Sequence, residues 1–150
     1  MKHFVLACLL VAGSAVAAPA ERISGTNEYV LNEERWPSGN TVYWRQDNQG
    51  TFLVDQGRLQ AGIVRCIGAG FGDIHGPNGT GICIFETNGG TFTWAWKTNG
   101  GNPNTWWVVS ATGSYFGMTG TGTARTRVDS KFRAMIHRVT EWEGDITLPD

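Results

Sequence analysis

Short runs of β-forming residues, separated by glycine and asparagine, extend through most of the sequence. Runs rich in threonine, valine, isoleucine and aromatic residues are typical of antiparallel strands joined by turns, and helical periodicity is almost absent. The pattern predicts strands near 25–31, 40–46, 51–55, 59–67, 81–87, 91–97, 105–111, 120–129 and 133–143. Eight or nine strands in one domain indicate an all-β closed barrel or a sandwich.

Three segments carry turn signals. Asn88-Gly89 predicts a tight hairpin turn between two neighbouring strands. The segment from Asn99 to Asn104 predicts a loop, and Asp129-Ser130-Lys131 predicts a turn before the last strand.

The N-terminus has the pattern of a secretory signal peptide. A short basic start, Lys2-His3, precedes an apolar stretch over 4–16, and Ala15-Val16-Ala17 supplies a cleavage site. The segment is too short to span a bilayer. We therefore expect residues 1–17 to be removed and residues 18–150 to form a single domain, secreted or periplasmic.

Charge and hydropathy exclude two classes of partner. The formal net charge is −1, which gives no basic footprint for nucleic acid. No later apolar run approaches membrane-spanning length, so no membrane span is expected.

Two cysteines remain if the signal peptide is cleaved, because Cys8 leaves with it. In an oxidising compartment Cys66 and Cys83 are expected to pair. Their disulfide would close a loop of roughly 17 residues and contribute about 3 kcal/mol in the chain-entropy model. A metal pair and a reactive thiol are the alternatives, but no CxxC motif or Cys/His cluster supports either.

The aromatic residues alternate with smaller ones along one predicted strand. Period-two geometry places Phe92, Trp94 and Trp96 on one face. This face is either a filled barrel core or the lining of a ligand cavity. Trp106 and its neighbour Trp107 point to opposite faces, and we include Trp106 among the candidate ligand-binding residues.

The last two predicted strands carry candidate catalytic residues. Arg125 and Arg127 share one face, and His137 and Glu141 likewise share one. A histidine beside a carboxylate can transfer protons, and Glu86 is a further candidate. The alternative is a solvated outer face with cross-strand ion pairs.

The glycine-rich segment from Gly113 to Thr123 resembles the allene oxide cyclase-like barrel family, whose relatives include the dirigent proteins. There a short loop with an aromatic residue leads into a Gly-Thr strand. The segment Arg65-Cys66-Ile67-Gly68, followed by Gly79-Thr80-Gly81-Ile82-Cys83, looks like the paired cysteines of exported bacterial members. The resemblance covers roughly 60–128.

The resemblance implies an eight-stranded, calycin-like antiparallel β-barrel with an apolar cavity, often oligomeric. A homo-oligomer is therefore among the expected states. Family members act mainly by confining a reactive molecule, so no cofactor or metal is required.

Three function classes follow. The first is an exported barrel that binds a small apolar or aromatic molecule in its cavity. The second is a cofactor-free cyclase, isomerase or lyase that uses Glu86, Arg125, Arg127, His137 or Glu141 on a substrate in the lumen. The third is a carbohydrate- or partner-binding module with exposed Trp36, Trp106 or Trp107 on loops.

Overall fold

The structure, a computed structural model, describes residues 18–101, 103–132 and 135–148. The predicted signal peptide lies outside these ranges. The described chain is almost entirely β-strand: β1 (Glu21–Val30), β2 (Glu33–Ser38), β3 (Thr41–Gln56), β4 (Gly62–Asp73), β5 (Gly76–Thr87), β6 (Gly90–Asn99), β7 (Asn104–Ala111), β8 (Thr119–Phe132) and β9 (Met135–Thr147). None of its helical residues forms a segment long and apolar enough to cross a membrane.

The strands form a closed antiparallel barrel. Each strand from β3 to β9 pairs with the next, and β1 pairs with both β9 and β3, which closes a ring of eight strands within the described chain. The long β3 has two partners on one side: its first half pairs with β2 and its second half with β1. This arrangement confirms the predicted eight-stranded antiparallel barrel.

Side chains along a strand alternate between the inside and the outside of the barrel. On β6, Phe92, Trp94, Trp96 and Thr98 are buried, while the residues between them are more exposed. This is the period-two pattern of a strand with one face toward a core. The buried residues of β6 therefore face the interior of the barrel.

Aromatic rings fill one end of the barrel. Phe85 stacks on Phe92 with ring centroids 4.7 Å apart, and Phe52 meets Phe85 edge-on at 5.0 Å. A short 3₁₀ turn, Gly113–Tyr115, places the Tyr115 ring 5.2 Å from Phe92. We call Phe52, Phe85, Phe92 and Tyr115 the aromatic plug.

The hairpin predicted at Asn88-Gly89 is confirmed, since Thr87 pairs with Gly90 across it. Two other expectations were wrong. The strands predicted at 40–46 and 51–55 are one continuous strand, because β4 pairs with β3 without interruption from Val42 to Phe52. The turn predicted at Asp129-Ser130-Lys131 is strand, because β8 and β9 stay paired as far as Phe132 and Met135.

Candidate functional site

A cavity of about 740 Å³ occupies the barrel between the aromatic plug and the opposite end. Exposed residues such as Ile74 and Arg35 border it there, so this end is the mouth of the cavity. The inner wall is mainly aromatic and amide side chains: Asn27, Tyr29, Trp44, Asn48, Trp94, Trp96, Trp106, Thr140 and Trp142.

Glycines on neighbouring strands let two tryptophans lie against the wall. Trp96 pairs with Gly81, and a Cβ on Gly81 would lie 2.5 Å from the Trp96 ring. Trp44 in turn covers Gly70 and Gly79, where added Cβ atoms would lie 2.7 and 2.5 Å from its ring. The two indole planes are within 8° of parallel, with centroids 6.3 Å apart. Because the glycines have no side chains, these rings lie close to the sheet and leave the lumen open.

The same arrangement recurs on the other side of the barrel. Trp106 pairs with Gly122, and a Cβ on the next glycine, Gly144, would lie 2.5 Å from the Trp106 ring. Trp142 pairs with Gly25, whose added Cβ would likewise meet its ring. Each of these four tryptophans thus faces a glycine directly across the strand ladder.

The Cys66–Cys83 disulfide is present and joins directly paired positions of β4 and β5. Cys66 is buried, and both residues line the cavity. The predicted pairing is confirmed, and the bridge forms part of the inner wall.

Hydrogen bonds fix the polar groups of the inner wall. The Trp142 Nε1 donates to Asn27 Oδ1 at 2.9 Å, and the Trp106 Nε1 donates to the Thr123 carbonyl at 3.1 Å. Burial raises the pKa of the Tyr29 hydroxyl, although hydrogen bonds with Thr140 and Asn27 act in the opposite direction. The phenol is therefore held neutral over the physiological pH range.

Charged residues gather at the mouth. Arg138 donates from Nε and Nη2 to both Asp129 carboxylate oxygens at 2.7 Å. This bidentate bond lowers the pKa of Asp129 and raises that of Arg138. Glu33 pairs with Arg35 on β2, next to this pair. The mouth thus carries both signs of charge.

Three of the four predicted ligand-binding residues line the cavity. Trp94, Trp96 and Trp106 form its wall. Phe92 instead lies in the aromatic plug, one pleat deeper than Trp94. The deep part of this face is therefore filled core and its upper part lines the cavity, and ligand binding there stays a prediction.

The predicted catalytic residues lie on the outer face. Arg125, Arg127, His137 and Glu141 are exposed, since the inward positions of β8 and β9 are Ala124, Thr126, Arg138, Thr140 and Trp142. Arg127 donates to Glu141 at 2.6 Å in a solvent-exposed ion pair. Glu86 is also exposed, beside a surface depression on β4 and β5. The barrel wall separates all five from the cavity. Arg127 and Glu141 form the cross-strand ion pair that was the alternative for the last two strands, and a catalytic role for the five residues stays a prediction.

The binding-module hypothesis needs a similar correction. Trp36 and Trp107 are exposed, but they lie on β2 and β7 rather than on loops. Trp106 is buried inside the barrel and is not part of any outer surface.

Within the described ranges, no group of three or more His, Cys, Asp or Glu side chains could hold a metal ion.

Sequence reasoning missed several wall residues. Tyr29, Trp44, Arg138, Thr140 and Trp142 line the cavity without having been candidates for binding. Alternation on β3 and β9 puts Trp44 and Trp142 each on one face of its strand, but it does not say which face is the lumen.

Fold and site together define an antiparallel barrel with an open, tryptophan-lined cavity. The pterocarpan synthase dirigent protein GePTS1 has a similar structure: the TM-score is 0.53 at 11% sequence identity, and the match covers 100% of both chains. At this identity the likeness shows the fold alone, and it agrees with the dirigent-like part of the resemblance. No family model matches the sequence, and no curated protein matches it either.

Proposed function

We propose that this barrel binds a small planar aromatic molecule in its cavity. The observation that carries the proposal is an open lumen of about 740 Å³ walled by tryptophans that lie over glycines. Small-molecule sites have volumes of roughly 300–1,000 Å³ and few, fixed polar groups. Flat indole faces offer stacking surface at low conformational cost, which favours a planar ligand.

Binding of a neutral aromatic dye tests the proposal. We expect N-phenyl-1-naphthylamine to become more fluorescent on addition of the protein, because it leaves water for an apolar cavity. Trp96→Ala should weaken this binding by about 1–3 kcal/mol. Trp107→Ala removes the same side chain from the outer face, and it should leave dye affinity unchanged. Equal losses in the two variants would show that the dye binds outside the lumen.

A natural ligand that stays bound during purification would show which compound the cavity binds. Native mass spectrometry of the protein from its own host should show a mass above that of the polypeptide, and the added mass should disappear under denaturing conditions. The same spectrum reports whether the protein is the homo-oligomer that the resemblance implies.

A second candidate is a cofactor-free isomerase, cyclase or lyase acting in the lumen. The observation that favours it is the placement of Tyr29 and Arg138, an acid–base phenol and a guanidinium, in the cavity wall. If the retained ligand is converted, Tyr29→Phe should lower turnover by about 100-fold or more with nearly unchanged affinity. Unchanged turnover would remove Tyr29 from this candidate mechanism.

Export completes the proposal. The Cys66–Cys83 disulfide supports an oxidising destination, since such bonds persist outside the cytosol. N-terminal sequencing of protein recovered from the periplasm or medium should begin at Ala18. Recovery only from the cytosol with Met1 retained would contradict export.

A further inference from the structure

Three aromatic residues form a row on the outer face of the barrel. Trp36 pairs directly with Tyr43, and Tyr43 pairs directly with Phe71, so the three lie side by side on β2, β3 and β4. Their side chains point away from the lumen, because Val42 and Trp44, the neighbours of Tyr43 in the chain, line the cavity. We call Trp36, Tyr43 and Phe71 the outer aromatic row.

The rings of this row are accessible from solvent. Trp36 is 49% exposed, Tyr43 51% and Phe71 41%. Within the described ranges, none of them contacts another aromatic ring, and no hydrogen bond engages the Trp36 indole or the Tyr43 hydroxyl. A single exposed aromatic residue is ordinary on a protein surface, whereas three in one row form a contiguous apolar surface.

Two amides continue the row in the same register. Phe71 pairs with Asn78 on β5, and Asn78 pairs with Asn99 on β6. The line therefore crosses five strands, and at about 4.8 Å between strands it is roughly 19 Å long. An amide both donates and accepts hydrogen bonds, so it can bind two neighbouring hydroxyl groups of a ligand. No residue of the line carries a charge.

The size and the borders of the outer aromatic row favour a narrow ligand. With roughly 150–250 Å² for each aromatic side chain, about half of it exposed, the three rings offer on the order of 300 Å². A stable protein–protein interface needs about 800 Å² from each partner. Along β2 and β3 the row is bordered by polar residues, with the Glu34–Arg45 ion pair on one side and Ser38 and Thr41 on the other. A single extended chain fits this strip better than a protein surface does.

We propose that this line of residues binds a neutral, extended glycan of β-1,4-linked glucose-type sugar rings. Equatorial hydroxyl groups leave the faces of such rings covered by C–H groups, which are attracted to the negative face of an aromatic ring. The outer aromatic row stacks the sugar rings, and Asn78 and Asn99 form hydrogen bonds with their hydroxyl groups. The site is separate from the cavity, so the inference does not depend on the function proposed for the lumen.

Isothermal titration calorimetry with cellohexaose and with hexa-N-acetylchitohexaose tests the inference and distinguishes a glucan from a chitin-type chain. At least one of the two sugars should bind the wild-type protein. Trp36→Ala and Phe71→Ala should each weaken that binding about two- to tenfold, because each removes one stacked ring. Trp36→Phe keeps a ring and should lose less affinity than Trp36→Ala.

Trp107→Ala is the matched control. Trp107 is 40% exposed on the outer face of β7, but it pairs with Ala95 and Thr121 and has no aromatic neighbour in its row. Its removal should leave sugar affinity unchanged. Substitutions at exposed positions change stability little, and urea unfolding of each variant shows that it is folded under the binding conditions.

Variants of the lumen separate the two sites. Trp96→Ala should leave sugar affinity unchanged, and Trp36→Ala should leave the affinity for N-phenyl-1-naphthylamine unchanged. If Trp96→Ala weakens sugar binding and Trp36→Ala does not, the sugar occupies the lumen and the inference is overturned. The dye experiment decides the lumen function in either case.

Two further results would overturn the inference. One is that neither sugar binds the wild-type protein, or that Trp107→Ala weakens binding as much as Trp36→Ala does. The other is that sedimentation equilibrium shows an oligomer that Trp36→Ala dissociates, while neither sugar binds. A second copy of the chain would then cover the outer aromatic row.

Discussion

Tyr29 is the buried phenol of the cavity wall, and its titration tests that burial. Its pKa is raised above the ordinary value of 10.0 because burial disfavours the phenolate. A group with a raised folded-state pKa contributes stability below its unfolded pKa and loses it as the pH rises through the folded pKa. We expect the free energy of unfolding to fall above about pH 10, and to fall less in Tyr29→Phe. An identical alkaline loss in both proteins, measured by urea unfolding, would contradict the burial.

The disulfide permits a second prediction at the level of residues. The folded domain should show no free thiols when it is unfolded without reductant and titrated with a thiol reagent. Replacing both Cys66 and Cys83 with serine should lower the free energy of unfolding by about 2–4 kcal/mol, chiefly by freeing the unfolded chain. Two titratable thiols in the untreated protein would refute the pairing.

The face that a residue occupies could be predicted where alternation within one strand was sufficient. It could not be predicted where the answer depends on how two strands pair. Alternation within β6 was enough to place Trp94 and Trp96 on one face. The role of Trp142 depends on its pairing with Gly25, more than 100 residues away, and this register is not readable from local pattern. The faces of His137 and Glu141 were ambiguous for the same reason, because a period of two does not say which side is the lumen.

At the level of elements, Gly120 lies near the start of β8, within the glycine-rich segment from Gly113 to Thr123. A Cβ on Gly120 would lie 2.5 Å from the Asp145 carbonyl oxygen on β9. Gly120→Ala should therefore push the two strands apart and lower the free energy of unfolding by about 1–3 kcal/mol. Gly72→Ala, where a Cβ meets no atom within 4 Å, is the matched control and should cost much less. Equal stability of the two variants would refute a structural role for Gly120.

Strand existence was predicted better than strand extent. The Asn88-Gly89 hairpin and a count of eight or nine strands followed from turn chemistry and β-propensity, whereas the eight-stranded barrel was implied by the family resemblance. β2 was missed because Glu33–Ser38 is polar and contains Pro37, which reads as a loop. It forms nonetheless because β3 extends past the end of β1 and offers a free ladder edge. That edge depends on tertiary structure, which a local pattern does not contain.

At the level of the whole molecule, the barrel wall separates an ionic exterior from an aromatic interior. The Arg127–Glu141 ion pair is about half exposed on both sides, and exposed pairs contribute roughly 0–1 kcal/mol. We expect Glu141→Gln and His137→Ala to lower the free energy of unfolding by less than about 1 kcal/mol and to leave dye affinity unchanged. A large loss of binding or turnover in either variant would restore these residues as candidates for the site.

The tryptophans that lie over glycines also determine how the cavity has to be mapped. Alanine scanning reports each tryptophan, but it is blind to Gly70, Gly81 and Gly122, because these residues have no side chain to truncate. Their contribution is the absence of a methyl group, and only an experiment that adds one can measure it. A systematic glycine-to-alanine series along the inner wall would therefore measure what each missing methyl group contributes to the shape of the lumen. Alanine scanning of the tryptophans does not give this information.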